Sequence, residues 1–389
     1  MSRRAYKTKA VLHKINLNGH EGFAKRHFFL QSLCGRFLFE RYYMSFVNTK
    51  KLTKYLAGPG TLILVLAGAG LCCIRTGTCQ VPFSMVVKTI SSHLVHWPDP
   101  ATIPALNHTI IWDIRLPRTL LAMAVGVSLS VSGVVFQGCF RNPLVEPYVL
   151  GASSGAAFGA ALGIVFPAFF LSVQIMAFVF SALAVAMAYT MARTGPDTPV
   201  VTLVLSGIIT GSVFSALVGL LKYLAQDTAL REIVFWLMGG FYYAGWQEVR
   251  ILFAVTAAGL GIIWASGWQL NVLSMGEEGA KSLGISPART QFILISLATL
   301  MTAAAVSATG IIAWVGLMIP HAARLVTGPD HRRVVPVSAV LGAIYLIICD
   351  TLARTLTTAE IPIGIITSLA GAPYLFYLVR TRGGQMFGK

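Results

Sequence analysis

Apolar runs close to 20 residues long recur from Gly58 to the C-terminus, separated by shorter stretches rich in charge, proline and glycine. At 1.5 Å per residue, such a run forms a helix that crosses a hydrocarbon layer of about 30 Å. In lipid every backbone N–H and C=O has to be satisfied within the segment, and a continuous apolar run does this as an α-helix. A very large soluble helical core is the competing reading, and it fails for want of polar surface. Only 11% of the residues are charged and 56% are hydrophobic, whereas about 25% of a soluble domain is charged. The expected fold class is all-α, a polytopic membrane protein.

Charges, prolines and loop glycines delimit ten expected transmembrane helices, at about 58–75, 116–138, 147–166, 171–192, 199–223, 247–266, 288–312, 314–327, 335–355 and 361–380. The eighth is short and contains Pro320 and His321, so it is expected to pack within the bundle. This divides the chain into a basic arm (1–56), a ten-helix membrane domain (57–382) and a tail (383–389). Residues 1–56 carry twelve Lys/Arg against two acids, and the remainder eighteen against twelve. A basic arm before the first span points to a cytoplasmic N-terminus, and ten spans bring the C-terminus back to that side. With that orientation, cytoplasmic segments hold 22 of the 30 Lys/Arg. No nucleic-acid motif accompanies the arm, so no nucleic-acid partner is expected. The first apolar run starts more than 50 residues in, and no cleavable signal peptide is evident. Met44, followed by Lys50, Lys51 and Lys54, is a natural start, which would make 1–43 an extension.

The loop 76–115, with Pro82, Trp97, Pro98, Pro100, Pro104 and Trp112, is too polar to span and is expected at the interface. So is 224–246, whose Phe235, Trp236 and Trp246 read first as interfacial anchors and second as ligand contacts. Gly151, Gly155, Gly159 and Gly163 recur every four residues on the third span and mark a close helix–helix face, as do Gly207 and Gly211 on the fifth. The six cysteines (Cys34, Cys72, Cys73, Cys79, Cys139, Cys349) lack zinc or redox spacing, and no metal ligand set is expected.

Five constellations remain. Arg115 and Arg118 flank Pro117 at the outer end of span two, and Arg354 lies at the outer end of span nine. They are either interfacial anchors or forks that receive carboxylates of a docking protein. Asp350 is four residues before Arg354 and competes for it. The turn Arg141-Asn142-Pro143-Leu144-Val145-Glu146-Pro147 is stiffened by two prolines, and Gly195-Pro196-Asp197-Thr198-Pro199 is a second inner turn. The segment 270–286 holds Leu273, Gly276, Glu277, Glu278, Ala280, Lys281, Leu283 and Gly284, and reads as a short polar helix stopped at Gly284. The fourth is Trp314-Val315-Gly316-Leu317 and Pro320-His321, leading to Arg324 and Gly328-Pro329-Asp330-His331-Arg332-Arg333. The last is Glu360-Ile361-Pro362-Ile363-Gly364 with Gly371-Ala372-Pro373.

These phrases, in this order over about 57–382, resemble the permease subunits of ATP-driven importers for iron–siderophore, haem and vitamin B12 (FecCD-type, type II importers). The resemblance implies a vitamin B12 importer permease-like fold that works as a homodimer in the bacterial cytoplasmic membrane, with both termini inside. It implies two ATP-binding-cassette ATPases and an extracytoplasmic substrate-binding protein as partners, besides membrane lipid and a metal-chelate substrate. Arg115, Arg118 and Arg354 would dock the binding protein, and Asn142 and Leu144 would form a cytoplasmic gate. The 270–286 segment, through Leu273, Gly276, Glu277, Glu278, Ala280, Leu283 and Gly284, would seat in the ATPase. No cofactor is expected on this chain, and ATP–Mg belongs to the ATPase. A phosphate-cradling Gly-x-x-x-x-Gly-Lys-Ser/Thr is missing, so the chain is not expected to be an enzyme. The alternatives are an ion-coupled secondary transporter and an intramembrane enzyme. Both need ionisable groups within the spans, which are nearly free of them. The substrate stays open among siderophore, haem, cobalamin and an oxyanion such as molybdate.

Overall fold

The computed structural model describes residues 59–77, 79–95, 97, 103–168, 171–193 and 199–387. The basic arm with Met44 and Cys34, the prolines Pro98 and Pro100, and the turn residues 195–198 lie outside them. Among the described residues the structure is helical and contains no strand. The helices are α1 (Pro59–Arg75), α2 (Phe83–Val95), α3 (Ala105–Phe140), α4 (Ala152–Val165), α5 (Val173–Ala192), α6 (Val200–Leu224) and α7 (Asp227–Met238). They continue with α8 (Trp246–Ala265), α9 (Gly267–Ser274), α10 (Glu277–Ser282), α11 (Pro287–Thr309), α12 (Val315–Thr327), α13 (His331–Thr355) and α14 (Ile363–Phe387). Six of these (α3, α5, α6, α8, α11 and α13) are long and apolar enough to cross a membrane. Four shorter apolar helices fall in α1, α4, α12 and α14. Together they match the ten expected spans, and α14 runs on into the 383–389 tail.

Helix α3 is the axis of the bundle. It packs against α8, α11, α12 and α13, and nearly every residue from Pro117 to Phe140 is buried. Close approach is made by glycines far apart in sequence. Gly126 lies against the Gly342 backbone of α13, and Gly133 against the Gly316 backbone of α12. Ser130 Oγ donates to Ser338 O at 2.9 Å, in register with an antiparallel α3–α13 pair. Gly155, Gly159 and Gly163 do form one face, against Phe180, Met176 and Val173 of α5. Gly151 does not share it. It has φ of +82°, ends the turn before α4, and faces Gly207 and Gly211 of α6.

Span two was expected to start at residue 116, yet α3 begins at Ala105. A π-helical turn over Thr109–Arg115 carries the helix through Pro117, with Leu116 N–H donating to Ile111 O. In that i→i−5 register Pro117 would have bonded Trp112 O, but it has no N–H. The indole Nε1 of Trp246 supplies the donor instead, at 3.1 Å. The same substitution recurs twice. Pro320 inside α12 strips Gly316 O of its helical partner, and Gln137 Nε2 donates to it at 3.2 Å. Pro336 inside α13 strips Arg332 O, and Trp264 Nε1 donates to that at 3.2 Å. Three prolines are thus accommodated by three side-chain donors from other helices, since an orphaned carbonyl in a dry bundle costs several kcal/mol.

Candidate transport sites at the two ends of the bundle

The start of α3 and the end of α13 meet at one end of the bundle, where the arginines gather. Arg118 Nε donates to Asp350 Oδ1 at 2.9 Å, and its NH1 lies 3.0 Å from both oxygens of Glu360. Arg354 Nε donates to Asp350 Oδ2 at 3.0 Å. Asp350 is thus a bridge between two guanidiniums, which settles the competition for Arg354 in favour of the ion pair. Arg115 does something different. It donates to Ile74 O at 2.9 Å, to Arg75 O at 3.0 Å and to Cys79 O, while Arg354 NH1 reaches Thr76 O at 3.4 Å. These are carbonyls at and beyond the C-terminus of α1, where orphan acceptors and the negative dipole end favour cations. The three arginines are 5%, 8% and 8% exposed, so they are buried at this end rather than spread as surface anchors. They are drawn inward because the helix end and the two acids satisfy them there.

Next to this cluster lies a cavity of about 570 Å³, lined by Gln174, Arg231, Glu232, Phe235, Trp236, Gly240, Tyr242, Tyr243 and Thr309 among others. Burial raises the Tyr242 phenol pKa, and the Glu360 charge raises it further. The aromatic stretch 235–243 therefore lines a concavity, rather than serving only as an interfacial anchor. The sequence signal was the aromatic density, but nothing local showed that α5, α7 and α11 would enclose it.

The opposite end holds the inner turn and the 270–286 segment. Arg141 ends α3 with φ of +51°, and Asn142 Oδ1 accepts from Leu144 N at 3.0 Å, an Asx turn. Asn142 is exposed and Leu144 half-buried. Glu146 folds back so that Oε1 accepts from Trp314 N at 2.7 Å, at a residue held at φ of +74°. Gln137 also donates to Leu317 O at 3.2 Å, and its Oε1 accepts from Arg324 NH1.

The 270–286 segment is two short helices, α9 and α10, broken at Gly276 (φ +110°), rather than one. Leu273 and Ala280 are 3% and 0% exposed and belong to the core, which corrects their expected place on the contact face. They seat the segment. Met275, Glu278, Lys281, Leu283 and Gly284 are exposed, and Gly276 and Glu277 are half-buried. Asn271 latches the segment to the start of α13. Its Nδ2 donates to Asp330 Oδ1 at 2.7 Å, and its Oδ1 accepts from His331 N at 2.8 Å and lies 2.8 Å from His331 Nδ1. That hydrogen bond lowers the Asp330 pKa, helped by the Arg332 N–H. Residues 328–331 and 270–286 were separate phrases in the sequence, and here they are one unit.

Burial raises the Glu146 pKa, against the opposing hydrogen bond from Trp314. A raised carboxyl pKa means the folded state holds its proton longer, so the cost of ionising Glu146 grows as pH rises from the unfolded value through the folded one. Glu146→Gln keeps an acceptor for Trp314 N–H and removes the charge. Its melting temperature is expected to exceed wild type by more at pH 7 than at pH 4. Glu146→Ala orphans the amide and is expected to lose about 1–3 kcal/mol. Thermal unfolding in detergent at the two pH values checks both.

Among the described residues no three His, Cys, Asp or Glu gather in a metal-binding group, and Cys72, Cys73, Cys79, Cys139 and Cys349 are free thiols. The all-helical fold agrees with comparison to known proteins. The FecCD transport family matches residues 62–381. This chain belongs to the FecCD transport family. The molybdate import permease MolB of Haemophilus influenzae is 37% identical over 306 residues, 78% of this chain and 91% of that protein. The cobalamin import permease BtuC of Halobacterium salinarum is 42% identical, covering 72% of this chain and 76% of its own. The hemin transport permease HmuU of Yersinia pestis is 39% identical, covering 72% and 85%. A solved inward-facing metal-chelate type ABC transporter superposes with a TM-score of 0.73 at 35% identity, covering 83% of this chain and 98% of the other. As a FecCD permease the chain is a multi-pass membrane subunit of the ABC class.

Proposed function

We propose that this FecCD permease moves a metal chelate inward across the bacterial cytoplasmic membrane as a homodimer. It would work with two ATP-binding-cassette ATPases and an extracytoplasmic binding protein. The observation that carries this is the arrangement along α3 and α13. An arginine–carboxylate cluster beside an aromatic cavity sits at one end, and an exposed, latched two-helix shelf sits at the other. In this reading the cluster end faces out, both termini face the cytoplasm, and Arg118, flanked by Arg115 and Arg354, receives carboxylates of the binding protein. Asn142 and Leu144 form the inner gate, on a turn stiff enough to hold one position. Gly276, Glu277, Glu278, Leu283 and Gly284 present to the ATPase, with Leu273 and Ala280 anchoring them from beneath. ATP–Mg stays on the ATPase, and its cycle biases a two-state motion of the pair. Two of the three relatives named above carry cobalamin or hemin in their names, and that is what favours a chelate over an oxyanion.

The shelf assignment has a direct test. Met275 and Leu283 are 70% and 49% exposed. Apolar side chains in that position next to Glu278 and Lys281 fit a partner groove. Leu283→Asp with Met275→Asp is expected to weaken copurification of the cognate ATPase at least about thirtyfold, a hot-spot-sized loss, while the permease elutes and melts as wild type. Unchanged copurification would remove the shelf from the ATPase interface.

A further inference from the structure

Building on the docking role proposed for Arg118, we infer that Glu360 is a displaceable carboxylate that occupies Arg118 until an acidic side chain of the docking partner replaces it. Arg118 meets two acids of different standing. Asp350 is 2% exposed and gripped from both sides, by Arg118 Nε at 2.9 Å and by Arg354 Nε at 3.0 Å. It is locked in, because removing it would leave two buried guanidiniums facing each other. Glu360 approaches from the open side. Both its oxygens lie 3.0 Å from Arg118 NH1, and its side chain is 39% exposed. Exchanging Glu360 for an incoming Asp or Glu keeps Arg118 paired throughout and buries no unpaired charge. The guanidinium fork accepts one carboxylate in place of another with its geometry unchanged.

The exchange is felt inside the chain. Glu360 precedes Ile361, whose N–H donates to Ala353 O at 3.1 Å, and Ile363, whose N–H donates to Gly239 O at 3.0 Å. The neighbouring Gly240 N–H donates to Thr309 O at 2.8 Å. Gly240 and Thr309 both line the 570 Å³ cavity, as does Tyr242, on which the Glu360 charge acts. Residues 356–363 thus run from the end of α13 to the cavity wall, with Glu360 as the ionic tether between. A partner that takes Arg118 frees that tether, so docking is transmitted to the wall of the cavity. The surface selects a partner that presents a protruding carboxylate.

The test uses the full chain with its cognate ATPase in nanodiscs, titrated with the cognate binding protein. Glu360→Gln removes the competitor and is expected to tighten binding about fivefold or more. Glu360→Asp, with a shorter reach, falls between it and wild type. Glu248→Gln, at the start of α8 on the same end, makes the same charge change away from Arg118 and is expected to shift binding less than about twofold. Glu360→Gln is also expected to raise ATPase activity measured without binding protein. Equal tightening by Glu360→Gln and Glu248→Gln would overturn the inference, because a general field effect explains it. So would unchanged affinity and ATPase in Glu360→Gln when wild type binds normally. If wild type itself does not bind, the docking reading fails first and the inference with it.

Discussion

Replacing Asp350 with alanine is expected to cost about 3–5 kcal/mol, the range seen when one partner is taken from a buried ion pair. Total stability of a domain is about 5–15 kcal/mol, so this single change reaches a large part of it. The magnitude follows from geometry. Asp350 is the common acceptor for Arg118 Nε and Arg354 Nε, and all three side chains are at least nine-tenths buried by residue. Without the carboxylate two guanidiniums remain at close range in a dry site, and Glu360 reaches only one of them. Glu360→Gln removes a half-exposed partner and is expected to stay within about 1 kcal/mol. Thermal unfolding of the purified permease in detergent, compared across the two variants, checks the ratio. Similar losses for both would show that Asp350 is not the keystone of the cluster.

The second large effect belongs to Gln137. Its amide donates to Gly316 O and Leu317 O at 3.2 Å each, and its carbonyl accepts from Arg324. Gln137→Leu keeps the volume and removes both roles. Each buried polar group left without a partner costs about 1–3 kcal/mol, so a loss of about 2–4 kcal/mol is expected. The cause can be isolated with Pro320. Gly316 O is an orphan only because Pro320 has no N–H to give it. Pro320→Ala restores that donor, so in the double variant part of the Gln137→Leu loss is expected to disappear. A coupling of about 1 kcal/mol or more in the double-mutant cycle supports the assignment. Strict additivity would mean that the Gly316 carbonyl is not what Gln137 serves.

Much of the fold was legible because a bilayer imposes one rule on every span. Length and polarity alone place ten apolar segments, and the family phrases fix their order. The short α12 with Pro320 was expected inside the bundle, and its first six residues, Val315 to Pro320, are buried there. What was not legible depends on pairs of residues far apart in sequence. Gly126 has no local signal for Gly342, and Trp246 gives none for the carbonyl that Pro117 leaves bare. The start of α3 was misplaced because Pro117 reads as a helix opening, and only a π turn together with a distant indole lets it sit inside one. Arg115, Arg118 and Arg354 come together at one end of the bundle. Their burial was not foreseeable, since the carbonyls at and beyond the end of α1 and the Glu360 carboxylate that hold them lie up to 278 positions away. Within the 270–286 segment the polarity was visible, but the break at Gly276 and the inward turn of Leu273 and Ala280 follow from the core beneath.

In the function proposed above, this permease carries a chelate inward at the expense of ATP on a partner. Uptake into proteoliposomes holding the chain with its cognate ATPase and binding protein tests it most directly. The assay takes ferric siderophores, haem, cobalamin and molybdate in turn, with and without internal ATP. Accumulation of one chelate only when ATP is inside is the expected result. ATP-independent accumulation driven by an imposed ion gradient would contradict it and make the protein a secondary carrier.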